Sequence, residues 1–350
     1  MLPLNFLMIT SALLFLALPT KASEQRTKNH LSPYTLEALT PELSGLTQSI
    51  VRGELRGLLG ESLLWGHNDS GHQSEVFGLN AQGDVKVIVS LPLPVDDVED
   101  IDTAPCPWRG GAKSTGAELC LWLADVGDNH HQREDAKILV FPLPTGGLVA
   151  GEISHGSPVR VVIEESDVVT FTARYPRARH PNIEAMTVTP DGRTLVLIEK
   201  TDAVDVGIWS GSVPAVDRGA RITLSLEAHP PLDARRFELA DLEQEAEDAL
   251  SHGHQRGALK LRHRRITSAD FNQEGTLLFV RTYGGIWQFG DPSQQSVSLD
   301  QLHQARPHLL GITLDEPQGE ALCFDQHTGG LWTGTEQRGA ETARIQYHQL

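Results

Sequence analysis

The stretch Ile183-Glu-Ala-Met-Thr-Val-Thr-Pro-Asp-Gly192, continued by Leu195-Val-Leu-Ile-Glu199, decides the fold. A short β-rich run reaches a Pro-Asp-Gly turn and a second apolar run follows at once, which predicts a hairpin. The same pattern recurs in Val98-Glu-Asp-Ile-Asp-Thr-Ala-Pro105, in Ile266-Thr-Ser-Ala-Asp-Phe-Asn-Gln-Glu-Gly275 and in Gly319-Glu-Ala-Leu-Cys-Phe-Asp-Gln-His-Thr-Gly329. Leu43-Ser-Gly-Leu-Thr47 is a weaker fifth copy. After each copy comes a second strand, such as Leu121-Trp-Leu-Ala-Asp125 or Leu277-Leu-Phe-Val-Arg281, and then a third, such as Ile138-Leu-Val-Phe-Pro142 or Gly285-Ile-Trp-Gln-Phe289. Several copies add a fourth β-rich run, as in Val85-Lys-Val-Ile-Val-Ser-Leu91. Repeated units of three or four short strands predict an all-β fold, a single β-propeller.

The copies are unevenly spaced. Ser44, Glu99, Glu184, Thr267 and Glu320 occupy the same position in each and lie 55, 85, 83 and 53 residues apart. A blade takes about 40 to 50 residues, so the long intervals hold insertions or hide a degenerate blade. Five blades can be counted, and six is the alternative. One insertion stands out as acidic and helical in composition, Phe237-Glu-Leu-Ala-Asp-Leu-Glu-Gln-Glu-Ala-Glu-Asp-Ala-Leu250. The last unit stops after its third strand, which predicts that residues near Pro33–Leu39 supply the missing one and cover the edge.

The apolar run from Met1 to Pro19 is short for a membrane span and is followed by Thr20-Lys-Ala22, a small-x-small site. Residues 1–22 are expected to be a secretory signal, with an uncleaved anchor as the alternative, and residues 23–350 to be the propeller. No second long apolar run follows, so no transmembrane helix is expected in the mature chain. An exported protein, periplasmic or extracellular, is the expectation. In that compartment Cys106 and Cys120, which flank a loop of turn formers, are expected to form a disulfide. Cys323, in Ala-Leu-Cys-Phe, reads as a small buried apolar residue. A net charge of −17 repels phosphate backbones and argues against nucleic acid as a partner. A small molecule or an envelope protein remains as the partner.

The repeat places ten polar residues at one face of the disc. They are Ser44, Glu99, Glu184, Thr267 and Glu320 at the starts of the innermost strands, and Asn68, Asp125, Glu199, Thr282 and Thr335 at the ends of the second strands. Carboxylates gathered round one axis repel each other unless protons or a cation intervene. Glu99, Glu184, Glu320 and Asp125, with Asn68, offer an oxygen cage for calcium. The alternative is a watery channel whose carboxylates bond to backbone or to Arg281 and Lys200. The loops His67-Asn-Asp-Ser-Gly-His72 and Asp125-Val-Gly-Asp-Asn-His-His131 bring histidine to the same mouth. His67 and His130 are the candidates for proton transfer. The same residues also suit metal binding or simply tight turns. No Gly-x-Ser-x-Gly elbow, phosphate loop, His-Glu-x-x-His or Cys-x-x-Cys pair occurs.

The ladder His67-Asn-Asp-Ser-Gly71, Glu99-Asp-Ile101, Ala124-Asp-Val-Gly-Asp-Asn129 and Ile183-Glu-Ala-Met186 resembles a group of uncharacterised exported bacterial β-propeller proteins. More remotely, the layout is similar to the gluconolactonase, paraoxonase and phytase-like propellers. That resemblance implies a channel calcium held by Glu99, Glu184, Asn68 and Asp125; Ser44 and Thr267 depart from the pattern where further ligands would stand. Two functions follow as expectations. The first is a binding or scaffold propeller that holds a ligand, metal or partner at its polar mouth. The alternative is a metal-dependent hydrolase of a small ester, lactone or phosphoester.

Overall fold

A computed structural model describes residues 34–35, 40–50, 62–69, 71–108, 118–134, 136–144, 157–176, 180–237, 263–291, 293, 296–312, 318–337 and 343–350. Residues 1–22, expected to be a secretory signal, and the acidic insertion apart from Phe237, lie outside the described residues. The fold is all-β, a five-bladed propeller.

Five strands ring the axis, each the inner edge of one blade: Leu43–Ile50, Val98–Pro105, Ile183–Val188, Ile266–Phe271 and Gly319–Phe324. Each touches the next, and the last touches the first, which closes the circle. The second strands, Ser62–Asn68, Leu119–Asp125, Thr194–Glu199, Leu277–Thr282 and Leu331–Thr335, are nearly all buried because their side chains point alternately into the two flanking blade interfaces. Leu121 and Leu123 pack towards the first blade, whereas Trp122 and Ala124 pack towards the third. Trp122 stacks on Phe171 with ring centres 5.9 Å apart.

The long intervals hold strands that return to an earlier blade. Val159–Val162 pairs in parallel with Val85–Ser90 and becomes a fifth strand of the first blade. Arg221–Ser225 does the same for the second blade, pairing with Val169–Arg174. These additions cover outer edges that would otherwise be open. Closure follows the expectation from the sequence: Tyr34–Thr35 pairs with Arg344–His348 and completes the fifth blade. The Cys106–Cys120 disulfide joins the first two strands of the second blade at the end away from the polar mouth, and Cys323 is buried and free. Among the described residues, no helix is long and apolar enough to cross a membrane.

The inner edges leave backbone N–H groups that no sheet partner reaches, and such groups must be paired when buried. Side chains from neighbouring blades supply the acceptors. Asp100 accepts from the Met186 amide at 2.9 Å and from the Ser268 hydroxyl at 3.2 Å. Asp102 accepts from the Val188 amide at 2.7 Å, and Asp270 from the Phe324 amide at 2.8 Å. Arg281, wholly buried, donates to the Ala321 carbonyl at 2.6 Å.

Candidate functional site

All five inner strands slip register at one place, and the extra residue is in turn Ser44, Glu99, Glu184, Thr267 and Glu320. A β-bulge turns one side chain out of the pleat. It does so here at the same level in every blade, beside the ends of the second strands. The residues before the bulges pair with Asn68, Asp125, Glu199, Thr282 and Thr335. The ten aligned residues therefore lie together at one end of the ring of inner strands.

Their side chains do different work. Ser44 donates to the Glu99 carbonyl and Thr267 to the Gly319 carbonyl, so both hydroxyls bind the next inner strand. Glu199 accepts from the Gly207 amide, Thr282 from Gly285 and Thr335 from Arg344. Asn68 accepts from the Glu42 amide. Asp125 accepts from the Asp96 and Asp97 amides and from Arg133, whose guanidinium lies 2.6 Å away. These second-strand residues fix the loops that carry the mouth.

Glu99, Glu184 and Glu320 are almost completely buried. The Lys200 ammonium lies 2.9 Å from Glu184 and 5.4 Å above the Tyr283 ring. Burial works against its charge, but Glu320 and Glu184 outweigh burial and hold Lys200 well above the usual lysine value. Glu320 accepts from the Tyr283 hydroxyl at 2.5 Å and from Gln318 at 2.9 Å. Burial raises the Glu320 carboxyl to about 7 despite Lys200. Burial, and then the Glu320 charge, raise Glu336 to about 9.

A second acidic group forms beside this one. Carboxylate oxygens of Asp69, Asp97 and Glu99 lie within 4.8 Å of one another. Gly127 is adjacent, and a Cβ there would run into Glu99 and Asp97. Its amide donates to the Asp97 carbonyl. Burial, then the charge of Asp69, raises Asp97 to about 6. Burial, then Glu184, raises Glu99 well above the carboxylate range, and Glu99 hydrogen-bonds to Glu184.

Of the five residues expected to cage a metal, Glu99 belongs to this trio. Glu184 and Glu320 face Lys200, while Asn68 and Asp125 hold the flanking loops. The trio members not predicted are Asp69, inside a run read as a turn, and Asp97, in the loop before the inner strand.

The histidines are placed apart. His67 is buried against Gly45, and its Nδ1–H donates to the Asn68 carbonyl at 3.0 Å. Burial lowers its imidazole to about 4, so it is neutral at physiological pH. His130 is exposed on the turn after the second blade's second strand. Nearby, His131 has a positive φ of 54° and its Nδ1–H donates to the His180 carbonyl.

No model of a known protein family matches the chain, and no characterised protein matches it in sequence. Among solved structures, the chain is similar to U3-55K at 11% identity and a TM-score of 0.34, covering 87% of this chain and 67% of that one. It is also similar to the PQQ-bound aldose sugar dehydrogenase of Streptomyces coelicolor, at 9% identity and a TM-score of 0.38, covering 91% of this chain and 98% of that one. At these values neither likeness bears on what the chain does.

Proposed function

We propose that the protein is an exported binding propeller whose polar mouth takes a calcium-type divalent cation on Asp69, Asp97 and Glu99. The cation, with the adjoining Glu184–Lys200–Glu320 group, would hold a small ligand or a partner's polar group. The observation that carries this reading is the convergence of three carboxylates within 4.8 Å beside a glycine that leaves them room. Calcium takes six to eight oxygens, so three carboxylates leave positions for backbone, water and ligand. Binding would require an ionised Glu99, because a ligating carboxylate is charged, and so works against the burial that raises this carboxyl.

Binding is favoured over hydrolysis by the state of the nearby histidine. A general base must reach the water it activates, and His67 is almost completely buried with its Nε2 against Gly45. The test is thermal melting in chelator and then in calcium, for the wild type and for Asp97→Asn and Glu99→Gln. Calcium should raise the wild-type Tm and leave both variants unmoved. An unchanged wild-type Tm overturns the proposal. Turnover of a lactone, aryl-ester or phosphoester panel that is lost in Glu99→Gln would replace it with the hydrolase.

A further inference from the structure

Beside the mouth, on the flank of the second blade, a cleft of about 200 Å³ opens near the end of Val169–Arg174. Its lining includes Arg133, Glu134, Thr172, Arg174, Tyr175 and His180. The space corresponds to about seven waters at liquid density, enough for a small polar group. On a chain of net charge −17, this lining carries two arginines, Arg133 and Arg174, against one carboxylate, Glu134.

Three of these groups have hydrogen-bonding capacity left over. The Tyr175 hydroxyl is buried and has no hydrogen-bond partner among the described residues. Its ring is fixed edge-on against Trp209, with centres 5.4 Å apart. Burial raises the phenol above its ordinary value, so it stays a donor. His180 uses Nδ1–H on the Arg133 carbonyl at 2.8 Å, which leaves Nε2 for another partner. Arg174 is exposed and makes no ion pair among the described residues. Arg133 is already engaged by Asp125 and the Gly127 carbonyl, so it contributes charge and shape. A buried hydroxyl with no partner costs stability unless something supplies an acceptor.

We propose that this cleft binds the anionic head of a small molecule, a carboxylate or a phosphate, with Arg174 and the Tyr175 hydroxyl as donors. Arg174 supplies the charge at the entrance, Tyr175 the buried hydrogen bond, and Glu134, exposed at the rim, opposes the anion. The site is separate from the three carboxylates at the mouth.

The test is titration calorimetry with inorganic phosphate and, separately, with acetate and succinate. The proteins compared are the wild type, Arg174→Ala, Tyr175→Phe, Glu134→Gln and Glu99→Gln. One anion class should bind at a single site. A hydrogen bond to a charged group implies affinity about 10-fold weaker in Arg174→Ala and in Tyr175→Phe, and Glu134→Gln should bind more tightly. Tyr175→Phe should melt no lower than the wild type, since it removes an unpaired buried hydroxyl. Glu99→Gln should keep anion binding, which separates this site from the cation site. The proposal is overturned if neither anion class gives saturable binding, or if Arg174→Ala and Tyr175→Phe bind as the wild type does.

Discussion

Removing the inter-blade acceptor Asp100 should cost the fold several kcal/mol. Its carboxylate receives the Met186 amide from the third blade, the Ser268 hydroxyl from the fourth and the amide of Ile101 beside it. In Asp100→Ala the Ser268 hydroxyl can turn to the Leu322 carbonyl, 3.4 Å away, but two amides are orphaned in the interior. Each costs about 1 to 3 kcal/mol, so a loss of about 2 to 6 kcal/mol is expected. Against this stands the burial of Asp100, which pushes its carboxyl well above the ordinary range and makes the charged form unfavourable. Asp100→Asn separates the two effects. It removes the charge but keeps one acceptor oxygen, orphaning about one amide for a loss of about 1 to 3 kcal/mol. Urea unfolding at neutral pH measures both variants. A loss in Asp100→Ala below about 1 kcal/mol, or Asp100→Asn as damaging as Asp100→Ala, would refute the account of how the ring is closed.

Gly127→Ala should lose about 1 to 3 kcal/mol and any calcium response, because the new Cβ runs into Glu99 and Asp97; a normal calcium shift in that variant counts against the site. Glu320 and Glu336 have folded values of about 7 and 9, raised above the usual 4.5. Their contribution is full below about 4.5 and is lost as pH rises through the folded values. In chelator, the Tm should fall between pH 6 and pH 9.5, and Glu336→Gln should flatten that slope; a Tm that rises over this range contradicts the burial argument. Replacing Cys106 and Cys120 by alanine should lose about 3 kcal/mol through the loop they close, read as a lower Tm under oxidising conditions, and no change would show that the bridge adds nothing.

Much of this architecture was legible because the repeat is local. The hairpin at Ile183–Gly192 carries its strand, turn and strand within one short window, and the bulge residues showed as polar positions at the head of apolar strands. What the sequence did not reveal is non-local. Val159–Val162 and Arg221–Ser225 look like ordinary strands, and nothing in their residues says that each belongs to the preceding blade. The five-against-six question stayed open for that reason. Alignment also located Thr282 and Thr335 without their direction, and their hydroxyls accept backbone amides of the following turns. Asp69 and Asp97 went unselected because turn and loop aspartates commonly serve their own backbone. Only the fold brings both beside Glu99.

The central claim, a cation on Asp69, Asp97 and Glu99, is tested most directly by a crystal structure grown in calcium with anomalous data collected. The account predicts one strong peak within about 2.3 to 2.6 Å of oxygens from all three residues, with Lys200 still paired to Glu184. A structure at saturating calcium with no peak there, or with the ion only at other surface carboxylates, would contradict it.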